Sequence, residues 1–500
     1  INNYIHMKVS QNWLQTLVDI NTTPEDLSEK LSIGGFEVDE LVDCSKNING
    51  VVLGKVLSVK KHEGSDKLSI CNVDIGETKN LQIICGAQNV KPHIYVYVAT
   101  VGTHLKAVNL NIKKSEIRGV SSEGMICSLQ ELGLEDNSDG IEIVEDNIAV
   151  KYKLGTPGAV LLNLNDFIYD LAITANRPDG MSVLGIAREV SALLESNLNY
   201  PELNHKYKIT KLDNINLCVE AINTNCLYTI TPINDVNGRK LSPIWLKDRL
   251  EKSGIKSINL LVDITNYILL EQGQPLHAFD KDKLNNLIGR DVLPEDFSVR
   301  KANENESLKC LDGTNYNLNN EITIITCCDI PIAIAGVIGG LETSVTSTTT
   351  SIYLEAAVFD PVSVRKSSKE IGIRTESSSR FEKGISFRNT IDSVTRAINL
   401  IEKFFGNNVP EIFTSNYLTK EETFIKLRRE RIHKILGNVC INDKKNIDLK
   451  SIEKRYLSDE EIIEKLKLIG CKLFNQKYGW DVQVISTRSQ DLIREIDLIE

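Results

Sequence analysis

The chain is poor in the residues that make chemistry easy to read. It has only seven histidines and three tryptophans in 500 residues. Its eleven cysteines are scattered, no C-x-x-C pair occurs, and only Cys327 and Cys328 are adjacent. This spacing argues against a disulfide framework and a thiolate zinc site, and fits reduced thiols in a cytosol-like compartment. Long apolar runs are also missing. The most apolar window, ITIITCCDIPIAIAGVIGG, is interrupted by Asp329 and Pro331 and ends in glycines. It reads as strand, turn, strand and not as a membrane span. The opening INNYIHMKVS is neither Arg-rich nor followed by an apolar stretch, so no targeting segment is expected and Met7 is a candidate initiator. Positive charge is in deficit: 58 Lys and Arg against 68 Asp and Glu give a net charge of −10. That argues against gross wrapping of nucleic acid but leaves room for a local basic patch.

What is present is a long, ordinary globular composition. Five hundred residues exceed what one core organises and predict three or four domains. Residues 7–45 show helical spacing, with Thr23 before Pro24 as an N-cap and Gly34-Gly35 as the stop. Residues 50–150 are strand-rich: VVLGKVLSVKKH, KLSICNVDIG, LQIICGA and IYVYVATVG alternate between turn residues. Short strands at this spacing predict a small closed barrel. A basic cluster follows in NIKKSEIRGVSSEGMICS, with Lys113, Lys114 and Arg118. On an OB-fold it would touch a nucleic-acid backbone; on pattern alone it is equally a solvated charged face.

Further on, DFIYDLAITANRPDGMSVLGIAREVSALL reads as strand, turn and helix. The longest unit, 206–400, is mixed α and β. It holds GQPLHAFD, the glycine segment AIAGVIGG, the strand SIYLEAAVFD and the polar run IRTESSSRFEKG. Residues 420–500 read as a basic helix FIKLRRERIHKILG, a second helix at IEKLKLIG and a strand at WDVQVIST, a winged-helix-like pattern. The final DLIREIDLIE has helical apolar spacing with no cap, so the chain is expected to be a fragment of a longer one.

Six blocks occur in order: SEIRGVSSEGMICS, ITANRPDGMSVLGIAREV, LLVDITNYILLEQGQPLHAFD, AIAGVIGG, IYLEAAVFDP and REIDLIE. Together they resemble the beta subunit of bacterial-type phenylalanine–tRNA ligase, from about Met7 to Glu500. The resemblance implies a class II aminoacyl-tRNA synthetase working as an α2β2 tetramer. Its alpha subunit activates phenylalanine with ATP and charges tRNA(Phe). Its beta subunit supplies tRNA binding, a hydrolytic editing site for tyrosyl-tRNA(Phe) and structural support. ATP is then bound mainly by the alpha subunit, and no class I signature or defensible class II ATP segment is found in this chain. The implied fold is multidomain α+β. It comprises a helical segment 1–45, an OB-fold tRNA-binding barrel 46–155 and a connecting segment 156–205. A mixed α/β editing domain 206–400 and a winged-helix-like domain 401–500 follow. The partners implied are the alpha subunit and tRNA, with no DNA and no membrane. The alternatives are a free-standing trans-editing hydrolase and a non-enzymatic tRNA-binding scaffold. Abundant Asn, Ile and Lys suit an AT-rich genome, hence a plastid or a bacterial cytoplasm.

The resemblance also places site residues. Read from pattern alone, His277 is a core histidine bonded to backbone and Glu355 half of an ion pair. By match to the family, His277 lies at the editing pocket, Ala335 and Gly336 form a wall that backbone can approach closely, and Glu355 reads the tyrosine hydroxyl. Thr375 and Ser377 line the pocket, where the family often carries a small apolar residue at the position of Ser377. His277 is not read as a metal ligand, since no second His or Cys stands at ligand spacing. Lys113, Lys114 and Arg118 would meet tRNA phosphates. Asp491, Asp497 and Glu500 match a Mg²⁺ site of the family; by spacing alone they are a solvated acidic helix paired with Arg488 and Arg494.

Overall fold

The computed structural model describes residues 5–212, 226–415, 424–440, 454–489 and 491–500. Its contacts group into two compact units, Leu41–Ile168 and Ile1–Glu40 with Tyr169–Glu500. The barrel unit is thus wider than 46–155, the connecting segment is divided between the units, and 206–400 shares a unit with 401–500.

In the smaller unit, β1 (Val51–Lys61), β2 (Ser69–Asp74), β3 (Leu81–Cys85), β4 (Tyr95–Thr100) and β5 (Gly124–Ile126) form an antiparallel sheet of order β5-β4-β1-β2-β3. A bulge between Val56 and Ser58 bends β1, as closure demands. The ends of the order then meet. The Glu123 N–H donates to Gln82 O at 2.8 Å, and the Ile84 N–H donates to Ser122 Oγ at 3.1 Å. Val56, Cys71, Val73, Ile83, Val96, Val98 and Ile126 fill the interior. Burial pushes the Cys71 thiol up to about 12, and that of Cys127 likewise, so both behave as small apolar residues. The barrel read from the sequence is present.

The larger unit begins as expected. The Thr23 hydroxyl accepts from the Asp26 N–H, Pro24 opens α1 (Pro24–Ile33) and Gly34 closes it. The turn at Asn176–Gly180 leads into α2 (Val183–Leu194), whose N-cap Ser182 accepts from the Gly185 N–H at 3.0 Å. Arg177 is buried there. It bonds both Asp179 oxygens at 3.0 and 2.9 Å and Glu189 at 2.8 Å, which compensates its desolvation.

Two sheets face one another in this unit. The first contains β6 (Lys208–Lys211), β7 (Leu227–Ile233), β8 (Leu276–Asp280), β13 (Ile352–Val358) and β14 (Glu411–Thr414), in the order β6-β14-β7-β13-β8. The second is β9 (Phe297–Lys301), β10 (Thr323–Cys327), β11 (Ile330–Ile334) and β12 (Ile338–Gly339), in chain order. The strand, turn, strand reading of ITIITCCDIPIAI is met by β10 and β11. All seven residues of β13 are buried, as in a strand covered on both faces. Alternation sends Tyr353, Glu355 and Ala357 to one face. That face packs on the second sheet: Tyr228, Ile230, Phe279, Tyr353 and Ala357 share a core with Ile324, Ile325, Cys327 and Ile332. Helices α3 (Leu260–Gln272), α4 (Pro361–Ile371), α5 (Glu376–Lys383) and α6 (Phe387–Phe405) complete this part.

The C-terminal part corrects one expectation. FIKLRRERIHKILG is not one helix. Phe424–Arg428 is strand β15, with burial alternating every second residue, and only Arg429–Leu436 is helical (α7). Then come α8 (Asp459–Leu468) and the hairpin β16 (Lys472–Gln476) and β17 (Gly479–Gln483), in a sheet of order β15-β17-β16. Two helices and a hairpin fit the winged-helix-like pattern. Among the described residues no helix is long and apolar enough to cross a membrane.

Candidate active site

His277 is delivered by a helix end and a tied-down turn. Gly273 caps α3 in the left-handed region at φ 76°, a conformation that favours glycine. Gln274 is fully buried. Its amide donates to Ala357 O at 3.0 Å and accepts from the Thr390 hydroxyl at 2.8 Å, fixing the turn against β13 and α6. Strand β8 starts two residues later, and the antiparallel register sets His277 directly opposite Glu355 of β13. Opposite residues of such a pair share a face with their Cβ atoms about 4.5–5.5 Å apart.

Both side chains are held by desolvation. The imidazole packs edge-on to Phe279, with centroids 4.5 Å apart. Its other wall is backbone: a carbon added to Gly339 would lie 2.4 Å from Cε1 and 2.7 Å from Nε2. His277 is half-buried as a residue, yet its Nε2 is shut off from solvent and has no partner among the described residues. Burial pulls its pKa from 6.5 to about 4, so the ring is neutral near pH 7. Glu355 is 6% exposed. Burial raises its carboxyl from 4.5 to about 8, so at neutral pH it is mostly protonated, a donor and an acceptor at once. Among the described residues Glu355 has no ion-pair partner, in contrast to the reading from pattern alone.

The other residues stand at different distances from this pair. Thr375 is the N-cap of α5. Its hydroxyl accepts from the Ser378 N–H at 3.0 Å and donates to Val337 O at 2.9 Å, tying the helix start to the glycine loop. Ser377 is half-buried in the first turn of α5. Ala335 is fully buried in the core between the sheets. Gly336 turns the chain at φ 71°, and a carbon added there would meet Phe381 and Val364 at 3.0 Å. It therefore packs on α5 and α4, and the close backbone approach to His277 belongs to Gly339. That residue escaped sequence reasoning, although it stands in the same glycine segment. Only its packing against the imidazole identifies it.

The basic cluster flanks the hairpin Ser115–Ile117 and Val120–Ser122 of the barrel unit, with Lys113 and Lys114 just before it and Arg118 at its turn, all three exposed. Lys114 pairs with Glu123 at 2.8 Å, and Arg118 donates to Gly64 O at 2.7 Å. Lys113 is exposed and unpaired among the described residues.

The terminal carboxylates are not gathered around an ion site. Asp491 pairs with Arg488 and accepts from the Asn176 amide at 3.2 Å. Asp497 caps the short helix α9 (Glu495–Ile499), accepting from the Ile493 and Arg494 N–H groups at 3.1 and 2.7 Å. It also pairs with Arg494 at 3.0 Å, and that guanidinium holds its carboxyl below the usual range. Glu500 is exposed. Among the described residues no group of three or more His, Cys, Asp or Glu could hold a metal. As placed, Asp491, Asp497 and Glu500 do not fit Mg²⁺, because the two aspartates are already bound to arginines and amides.

Comparison with known proteins agrees with this layout. Residues 224–406, which contain His277, Gly339, Glu355 and Thr375, match the B3/4 domain family, and residues 51–151 match a tRNA binding domain family. The phenylalanine–tRNA ligase beta subunit of Prochlorococcus marinus (strain MIT 9312) is 72% identical over 494 residues, 99% of this chain and 60% of the relative. That of Prochlorococcus marinus subsp. pastoris is 71% identical over the same shares. Among solved structures, an N-terminal fragment of the phenylalanyl-tRNA synthetase beta subunit from Pyrococcus horikoshii covers 99% of this chain and 97% of its own, at 12% identity and a TM-score of 0.40. The chain spans about 60% of the length of the curated relatives it matches. Across 99% of its own length, with both domain models in place, the chain belongs to the phenylalanine–tRNA ligase beta subunit family.

Proposed function

We propose that this chain binds tRNA(Phe) through its barrel and hydrolyses tyrosyl-tRNA(Phe) between its two facing sheets, as part of a ligase whose alpha subunit charges the tRNA. The observation that carries the reading is the cross-strand pair His277 and Glu355, both held neutral inside the B3/4 match.

An apolar pocket rejects an added hydroxyl only about 10²-fold, so a synthetic site for phenylalanine lets some tyrosine through. A second site must prefer the hydroxyl. Protonated Glu355 can donate a hydrogen bond to a phenol oxygen or accept one from the phenol O–H. Phenylalanine would leave the buried carboxyl unpaired, at a cost of about 1–3 kcal/mol. Hydrolysis then needs a water aimed at the ester carbonyl. With its pKa near 4, His277 is too weak a base to hold the water's proton at pH 7. Its unpartnered Nε2 suits orienting that water. Water adds to the ester carbonyl, the bond to the ribose oxygen breaks, and that oxygen takes up a proton as free tRNA leaves.

Lys113, with Lys114 and Arg118, would contact phosphates and position the tRNA without reading its sequence. ATP and phenylalanine activation belong in this reading to the alpha subunit of an α2β2 assembly of the class II type. No step of this hydrolysis runs through the family's Mg²⁺, whose matching carboxylates are held by arginines and amides. The relatives compared are cyanobacterial, which fits work in a bacterial cytoplasm or a plastid.

The test is deacylation of tyrosyl-tRNA(Phe) and phenylalanyl-tRNA(Phe) by the chain, with and without an alpha subunit, beside Glu355→Ala. Selective loss of tyrosine that disappears in the variant is expected. No loss in the wild-type assembly would leave a tRNA-binding scaffold. Full activity without alpha would favour a free-standing hydrolase.

A further inference from the structure

Tyr228 is buried with 0% exposure, and its hydroxyl has no hydrogen-bond partner among the described residues. A buried hydroxyl left unpaired is costly and calls for an explanation. The register supplies its surroundings. Tyr228 of β7 stands opposite Ala357, two pairs along from Ile230 opposite Glu355, so Tyr228 and Glu355 share a face as diagonal neighbours. His277 approaches Glu355 from the other flanking strand. Glu355 therefore lies between two strands that each present an unpartnered buried polar atom, the Tyr228 hydroxyl and His277 Nε2. The remaining neighbours on this face, Ile230, Phe279, Tyr353 and Ala357, belong to the apolar core. Glu355 and Cys327 are the charged or titratable groups whose fields reach the Tyr228 hydroxyl, and burial with these two holds its proton on.

We propose that Tyr228 is a second specificity residue of the editing site, its hydroxyl meeting the phenol of a bound tyrosyl ester together with Glu355. This rests on the editing function proposed for the same pocket. The phenol oxygen has one proton and two lone pairs, so it accepts from Tyr228 while pairing with the Glu355 carboxyl. An oxygen is then kept unpaired in an otherwise apolar core because its partner arrives with the substrate. Phenylalanine would leave two buried groups unsatisfied instead of one, which widens discrimination beyond what Glu355 alone supplies. His277 remains free for the water.

The test is a double-mutant cycle of Tyr228→Phe and Glu355→Gln in the chain assembled with an alpha subunit. It reads kcat and KM for deacylation of tyrosyl-tRNA(Phe) and phenylalanyl-tRNA(Phe). Tyr228→Phe changes no shape and removes an unpaired hydroxyl, so its thermal midpoint should match or exceed wild type. The expected result is a fall of about tenfold in the preference for tyrosine. It should appear mainly as a higher KM for the tyrosyl ester, with phenylalanyl hydrolysis unchanged. The double variant should lose less than the product of the two single losses, because both residues serve one oxygen. Wild-type preference in Tyr228→Phe, or strictly multiplicative losses, would overturn the role of Tyr228 and leave the editing reading standing. Wild type that deacylates neither ester would instead sink the editing reading, and the proposal with it.

Discussion

Replacing Glu355 by Gln keeps the shape of the side chain and removes its ability to ionise. The consequence for stability follows from the burial of β13. In the unfolded chain the carboxyl titrates at its ordinary value of 4.5, and in the fold at about 8. Below 4.5 both states hold the proton and the group has no pH effect. Between 4.5 and 8 the folded state holds a proton that the unfolded state releases, so stability falls as pH rises. Each pH unit in this window is worth about 1.4 kcal/mol. At pH 7, about 2.5 units above 4.5, the accumulated loss is about 3 kcal/mol. Urea unfolding of wild type and Glu355→Gln, in parallel at pH 5, 6, 7 and 8, isolates this group because other titrations cancel in the difference. The chain has two units and need not unfold in one step, so hydrogen exchange of the β13 amides should follow the local transition. The variant should gain on wild type steadily from pH 5 to 8 and then level off. A difference that stays flat across the window would mean the carboxyl is already ionised or solvated, and the neutral-acid account of recognition would fall.

Two other outcomes follow from the geometry. Gly339→Ala should press a methyl into the His277 ring, 2.4 Å from Cε1. That should cost about 1–3 kcal/mol of overpacking and suppress deacylation. Adding His277→Ala should restore the urea midpoint but not the activity, and a Gly339→Ala protein with wild-type kinetics would show that the ring does not need this wall. In the barrel, Lys113→Ala should lower the salt slope of tRNA binding by about 1, and Lys114→Ala by less, because Glu123 already neutralises that ammonium. Equal slopes for the two variants in filter-binding titrations would contradict the contact assignment.

Local signals carried much of this fold. Alternation and turn residues exposed the barrel strands, and Thr23-Pro24 with Gly34 bounded a helix almost to the residue. The signal failed at Phe424–Arg428, where alternating charge on a short edge strand imitates a basic helix and only the pairing of Leu427 with Trp480 decides between them. The site divides in the same way. His277 and Glu355 were found through their motifs, but their being opposite each other is a fact of register, 78 positions apart in the chain. Tyr228 carries no motif of its own, and nothing in the glycine segment singles Gly339 out from Gly336. A tyrosine in an apolar strand looks like any core residue until its hydroxyl is seen to lack a partner. At the end of the chain, the arginine pairing that spacing alone suggested for Asp491 and Asp497 is present, since Arg488 and Arg494 each stand three residues before their partner.

The proton belongs on Glu355 and not on His277 because one cause acts on both. In water a carboxyl at 4.5 and an imidazole at 6.5 would both be charged between those values and would attract each other. Burial disfavours both charged forms, raising one to about 8 and lowering the other to about 4, so the order inverts. The stability effects then oppose each other. Glu355 loses stability as pH rises from 4.5 to 8, and His277 loses it as pH falls from 6.5 to 4. Between 4.5 and 6.5 the two slopes cancel, and the pair imposes a constant penalty with no net proton exchange. Above 6.5 only the Glu355 slope remains. The neutral pair therefore persists across the range in which an ester must be hydrolysed, without a permanent charge. It leaves a donor and acceptor for a phenol on one strand and an unprotonated nitrogen for a water on the next.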